Sequence, residues 1–325
     1  MKKEYLLSIV IPSRSEMFLK NTIEDILKNK EDRTEVIAVL DGMWSDPPIT
    51  QHPDVNIIYV PESIGQRAST NLGVKLSRAK YVMKVDAHCS FDKGFDRKMI
   101  EGFKKVGDDV TMVPVMRNLW AYDWVCKCGE RKYQDKGGIC DKCRKQMTKD
   151  MKWIGKERPQ STSYSFDSEP HFQYFREYSK RPEVRKQAKE TGFTETMSLQ
   201  GSCFMATREN YWKWELCDEK MGSWGNQGVE VACATWLTKH SVLVNYSTWY
   251  AHMFRTKAVN DFGFPYSISG REVQKTKKRV KDKYWNFKHP LQRCSVNWLV
   301  ERFMPIPGWT DEQLKELKKS EERQN

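Results

Sequence analysis

The chain has 325 residues and carries 55 Lys+Arg against 43 Asp+Glu, a formal charge of +12. With 39% hydrophobic and 12% aromatic residues it can bury a sizeable core, which excludes wholesale disorder. Its longest apolar stretch, residues 5–11, falls far short of the roughly 20 residues that span a bilayer, so a cytoplasmic protein without stable membrane insertion is expected. Pro12 and Arg14 end that stretch, which reads as a buried strand rather than a secretion signal.

The first hundred residues alternate strand and helix. LLSIVI (6–11) is an apolar run rich in β-branched residues, helical spacing follows over 18–27, and EVIAVL (35–40) is a second strand stopping at Asp41. VNIIYV (55–60), a helix over 66–78 and KYVMKV (80–85), ending at Asp86, continue the pattern. Such alternation predicts an α/β fold with a mostly parallel sheet flanked by helices. Ligands then sit beyond the carboxyl ends of the strands, on a rim shared by residues 12–16, Asp41 and 86–88. A strand over 110–115 leads into a Cys-rich insert, and residues 151–200 carry no readable period. Strands over 202–207 and 241–246 flank a helix over 229–237, a basic helix or helix pair covers 271–288, and a charged helix capped by Thr310 closes the chain.

Asp86 and His88 stand two residues apart at a strand end, so both can face one rim site and hold a divalent ion. Mixed oxygen and nitrogen ligation suits Mn²⁺ better than Mg²⁺. Around them the sequence resembles the nucleotide-sugar glycosyltransferases of the GT-A fold, in particular family 2 enzymes and the polypeptide N-acetylgalactosaminyltransferases. LSIVIPSRSE looks like their first strand and turn, VLDG like their uracil-contacting Asp, and SIGQRASTNLG like the G-x-x-x-A-R-N segment. KVDAHCS is similar to the D-S-H-C metal motif, and TMSLQGSCFMATRENYWKW to T-M-x-G-G-x-F-A-I-x-x-x-Y-F. CDEKMGSWGNQGVEVACATWL and WYAHMFR match two further segments, so the pieces run in family order from residue 6 to 255, leaving out 118–190 and 257–325.

The resemblance implies a Rossmann-like GT-A domain using a UDP-sugar. It implies Mn²⁺ or Mg²⁺ held by Asp86, His88 and His252, uracil contacted by Asp41, and a uridine pocket shaped by Pro12 and Glu16. Arg67 would lie near the base or diphosphate, Trp224 and Gly225 on the sugar side, and residues 254–266 would form a lid. One departure matters: Gln227 stands where the family has Glu, and Gln cannot take a proton. Glu230 is the nearby carboxylate. Either it contacts acceptor or donor, or no enzymic base is used, which fits a retaining transfer.

Cys126-x-Cys128 and Cys140-x-x-Cys143, eleven residues apart, match a tetrahedral structural Zn²⁺ in a small ribbon. The surplus charge lies in 126–157 (ten basic, five acidic residues) and 271–293 (nine basic, two acidic). Segregated positive charge attracts polyanions, and Tyr133, Trp120, Tyr122 and Trp124 would suit nucleic-acid contact. The pattern also looks like glycosyltransferases encoded by tailed bacteriophages, which makes a hydroxymethylpyrimidine in phage DNA, within a host cytoplasm, the leading acceptor. A cell-envelope glycan or protein hydroxyl is the alternative within the same class, and a non-catalytic zinc nucleic-acid-binding protein the alternative outside it. The expected organisation is a nucleotide-sugar half (1–117), a zinc ribbon (118–157), an acceptor half (158–266) and a basic helical extension (267–325).

Overall fold

The computed structural model describes residues 4–134, 137–254 and 270–322; all but the first residue of the expected lid lies outside them. β1 (Leu7–Ser13), α1 (Leu19–Asn29), β2 (Thr34–Asp41), β3 (Val55–Val60), α2 (Gln66–Leu76) and β4 (Tyr81–Val85) follow the expected alternation. β1 pairs in parallel with β2 and β4, and β2 with β3. Alternate side chains of β1 enter different cores: Leu7, Ile9 and Ile11 pack on one face of the sheet, Val10 on the other. A strand buried on both faces has no solvent-facing positions to alternate with, so residues 7–12 are apolar but for Ser8, whose buried hydroxyl donates to Glu35 Oε1 at 2.7 Å. α1 buries Leu19, Thr22, Ile23 and Ile26, the stripe of an amphipathic helix. α2 lies so close to β1 that a Cβ on Gly73 would come 2.4 Å from a methyl of Val10, so the approach depends on the missing side chain.

β5 (Cys89–Phe91) and α3 (Phe95–Val106) lead to β6 (Val110–Val125), which runs ten residues past its expected end. Its first half stays in the main sheet. Its second half leaves the sheet and pairs antiparallel with β7 (Arg131–Tyr133) and β8 (Thr148–Gly155), carrying the Cys-rich insert at its tip. The unreadable stretch holds β9 (Tyr164–Phe166) and β10 (Phe172–Tyr174), paired only with each other, then α4 (Arg176–Ser179), α5 (Pro182–Thr191) and β11 (Phe193–Glu195). Three-residue strands are too short to print a period. β12 (Cys203–Thr207), α6 (Arg208–Lys213), α7 (Gln227–Trp236) and β13 (Ser241–His252) complete the α/β unit.

The sheet order is β11-β13-β6-β12-β4-β1-β2-β3. β3, β2, β1, β4, β6 and β13 run one way; β12 and β11 run against them. The sheet is thus mixed, with its parallel strands in the majority. The carboxyl ends of β1, β2, β4 and β13 reach a common rim.

Three helices follow: α8 (Gly270–Tyr284), α9 (Val296–Phe303) and α10 (Asp311–Glu322). Val280, Tyr284, Leu299 and Phe303 join the core of Trp236 on α7. At the start of α10, Thr310 Oγ1 accepts from Gln313 N (3.3 Å) and Gln313 Oε1 accepts from Thr310 N (2.9 Å), a reciprocal capping box.

Candidate active site

A cavity of about 620 Å³ opens on the rim. Asp86 enters it from the end of β4, His88 from the turn before β5, and His252 from the last position of β13. Each offers one ligand atom, and the three atoms lie within 4.8 Å of one another. The two Nε2 atoms of His88 and His252 face each other at 3.0 Å, and His252 Nε2 lies 3.3 Å from Asp86 Oδ2. Two imidazole nitrogens at this distance suit one shared cation or one shared proton.

Other residues brace the three. Asp86 N donates to Ser202 O at 2.8 Å. The buried ammonium of Lys84 pairs with Asp86 Oδ1 and donates to Gly201 O at 2.6 Å, and Gln66 Nε2 reaches Asp86 Oδ1 at 3.3 Å. Glu16 Oε2 lies 2.9 Å from His88 Nδ1 while Glu16 Oε1 accepts from Phe18 N at 3.1 Å. Glu16 therefore lines the cavity with its carboxylate turned to His88.

Burial raises the Asp86 carboxyl, but the ammonium of Lys84 and the contact with His252 outweigh it and hold the group below the usual carboxylate range. Burial drives His252 the other way, down to about 4, against the pull of Asp86. A neutral His252 beside an ionised Asp86 is the state in which these groups ligate a divalent cation, and the donor set of one carboxylate and two imidazoles fits Mn²⁺. The far nitrogen of His88 is oriented by a carboxylate, as metal-bound histidines usually are. The far nitrogen of His252 is buried without a hydrogen-bond partner among the described residues.

Pro12, Asp41, Trp224 and Gly225 also line the cavity. Asp41 holds the loop that opposes it: Oδ1 accepts from Ile64 N (2.6 Å), and Oδ2 from Ser63 Oγ (2.8 Å) and Gly65 N (3.1 Å).

Arg67 and Glu230 do not line the cavity, which corrects the expectation for both. Arg67 Nε donates to Glu230 Oε2 at 2.7 Å, and the two side chains are 1% and 0% exposed. The guanidinium also donates to Gly222 O (2.9 Å) and Gly225 O (2.7 Å), and Glu230 Oε1 accepts from Asp218 N at 2.7 Å. Burial raises the Glu230 carboxyl while Arg67 opposes the rise. Fully spent on each other and on backbone, the pair shapes the loop beneath Trp224 instead of meeting a ligand.

Beyond Gln227, already singled out as a departure from the family pattern, several residues in or beside the cavity escaped the sequence reading. Gln227 lines it from the first turn of α7, and its Oε1 is buried without a hydrogen-bond partner among the described residues. Gly228 follows because a Cβ there would meet Leu199 O at 1.9 Å. His171 and Phe172 arrive from the β9–β10 hairpin, and Glu272, Val273 and Lys277 from α8. Lys84 had a visible signal: a lysine inside a strand otherwise apolar at every buried position.

The four cysteines of the insert form the second cluster, with one sulfur from each within 4.8 Å of the others. Cys126 and Cys143 lie 3.4 Å apart, Cys128 and Cys140 3.5 Å. Cys126 and Cys128 share one tight turn and Cys140 and Cys143 another, closed by Gly129 N donating to Cys126 O and by Arg144 N donating to Cys140 O, both at 2.9 Å. Four thiols so placed fit a tetrahedral Zn²⁺. Tyr122 and Trp124 are buried in the core of the insert with Phe18, so they are not surfaces on which bases stack.

Residues 8–125 match the model of the family described as Glycosyl transferase family 2. That match covers 118 of the 325 residues. Among solved structures it is similar to a crystal structure of GalNAc-T7 with UDP, GalNAc and Mn²⁺, at 16% identity and a TM-score of 0.62, covering 98% of this chain and 55% of that one. At that identity the likeness is one of fold, and the chain spans about half the length of its neighbour. A structure of S. aureus TarS 1–349 aligns at 12% identity and a TM-score of 0.43, over 76% of this chain and 60% of that one. A comparison with curated proteins returns no match. Among the described residues no helix is long and apolar enough to cross a membrane.

Proposed function

We propose that the protein is a metal-dependent glycosyltransferase that moves a sugar from a UDP-sugar to an acceptor hydroxyl. The observation that carries this reading is the convergence of Asp86, His88 and His252 on one cavity, at the rim of a sheet shared in fold with a UDP- and Mn²⁺-bound transferase structure. Mn²⁺, or Mg²⁺, held by those three residues would act as a Lewis acid toward the diphosphate as the sugar–phosphate bond breaks. Pro12 and Asp41 form the uridine end. A carboxylate has about four acceptor positions, and three hydrogen bonds to Asp41 leave one for the uracil N3–H. Glu16 holds His88 in its ligating orientation, and Trp224 and Gly225 bound the sugar.

Gln227 lines the cavity where an inverting relative needs a carboxylate, and Glu230 is consumed by Arg67 and Asp218 N. This supports retention, with the acceptor proton leaving on the departing phosphate. The four cysteines would hold a structural Zn²⁺ in an insert spanning 118–157, between a nucleotide-sugar half (1–117) and an acceptor half (158–266), with a basic extension over 267–325. The leading acceptor is a hydroxymethylpyrimidine in phage DNA, supported by the segregated positive charge.

Incubation with a panel of UDP-sugars and Mn²⁺ should release UDP, and Asp86→Ala should lower that rate by roughly 10³-fold or more, the scale of losing transition-state charge stabilisation. Full activity in Asp86→Ala removes the metal assignment. Transfer to hydroxymethylcytosine DNA, and none to unmodified DNA or a peptide pool, is the expected acceptor result. Transfer to peptide or glycan alone replaces DNA as acceptor.

A further inference from the structure

The sequence reading placed Arg67 near the base or diphosphate and left Lys277 within the basic segment 271–293, suited to polyanions. The structure separates the two. Arg67 is sealed beneath the 222–225 loop, while Lys277 is only 8% exposed and lines the cavity. α8 is pinned at this point: Thr276 Oγ1 donates to Met221 O at 2.8 Å and lies 3.2 Å from Trp224 O. Val273 approaches Gly225, where a Cβ would come within 3.8 Å of Val273 Cα. One turn further on, Lys281 pairs with Glu169 at 2.8 Å, two residues from the cavity-lining His171. Lys277 therefore projects from a fixed helix between the sugar-side loop and the β9–β10 hairpin.

Its ammonium has no hydrogen bond or ion pair to any described residue. With its stem packed in the wall and no protein partner, the ammonium opens on the cavity, where an anion would be its first partner. Of the other cations near the rim, Lys84 pairs with Asp86 and Arg67 with Glu230, while Arg14 lines the cavity from its solvent-exposed mouth. Resting on the reading of this cavity as a nucleotide-sugar site, we propose that Lys277 donates to a phosphate oxygen of the nucleotide diphosphate. The C-terminal helices, which lie beyond residues 8–125, would thus complete the donor site.

The test titrates UDP and uridine, with Mn²⁺ present, against wild type, Lys277→Met and Lys277→Arg, and records the melting temperature of each without nucleotide. Loss of one charge-assisted hydrogen bond predicts UDP binding weakened about 10- to 100-fold in Lys277→Met, uridine binding unchanged, and most UDP affinity restored in Lys277→Arg. The ligand-free Lys277→Met protein should melt close to or above wild type, because the ammonium makes no polar contact to a described residue that could be lost; a merely structural lysine would not give weaker UDP binding without a lower melting temperature. UDP binding unchanged in Lys277→Met, or UDP and uridine weakened together, or a lower ligand-free melting temperature, overturns the assignment of Lys277 alone. Wild type that binds no UDP overturns it together with the nucleotide-sugar reading.

Discussion

The two ligand clusters are built in opposite ways. The four thiols come from 126–143 and depend on two tight turns, whereas His88 and His252 are 164 positions apart and meet because β4 and β13 end on the same rim. The rim cluster is held by the sheet and by Lys84, Glu16 and Ser202 before any ion arrives. The insert has a small core of its own, chiefly Tyr122, Trp124, Met147 and two of the cysteines. Long-range clusters are thus organised by the fold, while local ones must be organised by their metal. The two also touch: Phe18 packs with Tyr122 at 6.0 Å between ring centres, and its backbone N–H donates to the carboxylate that orients His88. Ala251 and Met253, either side of His252, share the core of the insert.

Removing the ion from the insert should give the largest separation between the two regions. Cys140→Ser should lose bound zinc in metal analysis, since a structural site needs its full set of four ligands. Hydrogen exchange should then show the amides of 126–147 exchanging freely while those of β1, β2 and β4 keep their protection. Protected insert amides in a zinc-free protein would mean that the turns and aromatic core suffice, and the contrast between the clusters would disappear.

Glu16→Gln tests the rim cluster without touching a ligand atom. The amide keeps the size of the side chain but loses the charge that orients and polarises His88. An outer partner of this kind contributes roughly 10- to 100-fold in metal affinity, so Mn²⁺ binding followed by calorimetry should weaken by that factor while zinc content stays constant. Unchanged Mn²⁺ affinity would leave Glu16 as a link to Phe18 alone.

Legibility in the sequence followed the same division between local and distant. β1, β2 and β4 were readable because strands buried on both faces are largely apolar runs, and the rim followed from where Pro12, Asp41 and Asp86 interrupt them. The cysteine pairs were readable from spacing alone. The fate of Arg67 was not, because its partner Glu230 is 163 positions away and nothing local distinguishes a buried guanidinium from a ligand-facing one. Lys277 was hidden for a related reason. Within the Lys275–Arg279 run of basic residues, only packing of α8 on Met221 and Trp224 decides which one turns inward. The length of β6 was missed because its second half is held by the returning β8, a partner beyond the insert.

The smallest predicted effect concerns the support of the rim. Asp25 on α1 accepts from Phe91 N of β5 at 2.7 Å and from Asn29 Nδ2 at 3.1 Å, tying α1 to the strand that follows His88. Burial raises its carboxyl to about 6, against the opposing pull of those donors. A folded-state value above the unfolded one means that the native state binds the proton more tightly, so this contribution is fully present below about pH 4 and is lost as pH rises through 6. Asp25→Asn, which keeps an acceptor oxygen for Phe91 and discards the charge, should therefore stabilise the protein at pH 8 by about 1–2 kcal/mol and do little at pH 4. Urea unfolding at the two pH values reads the difference. A gain that is equal at both would assign it to packing instead of charge. A loss at pH 8 would show that the ionised carboxylate itself is what secures β5, and with it His88, against α1.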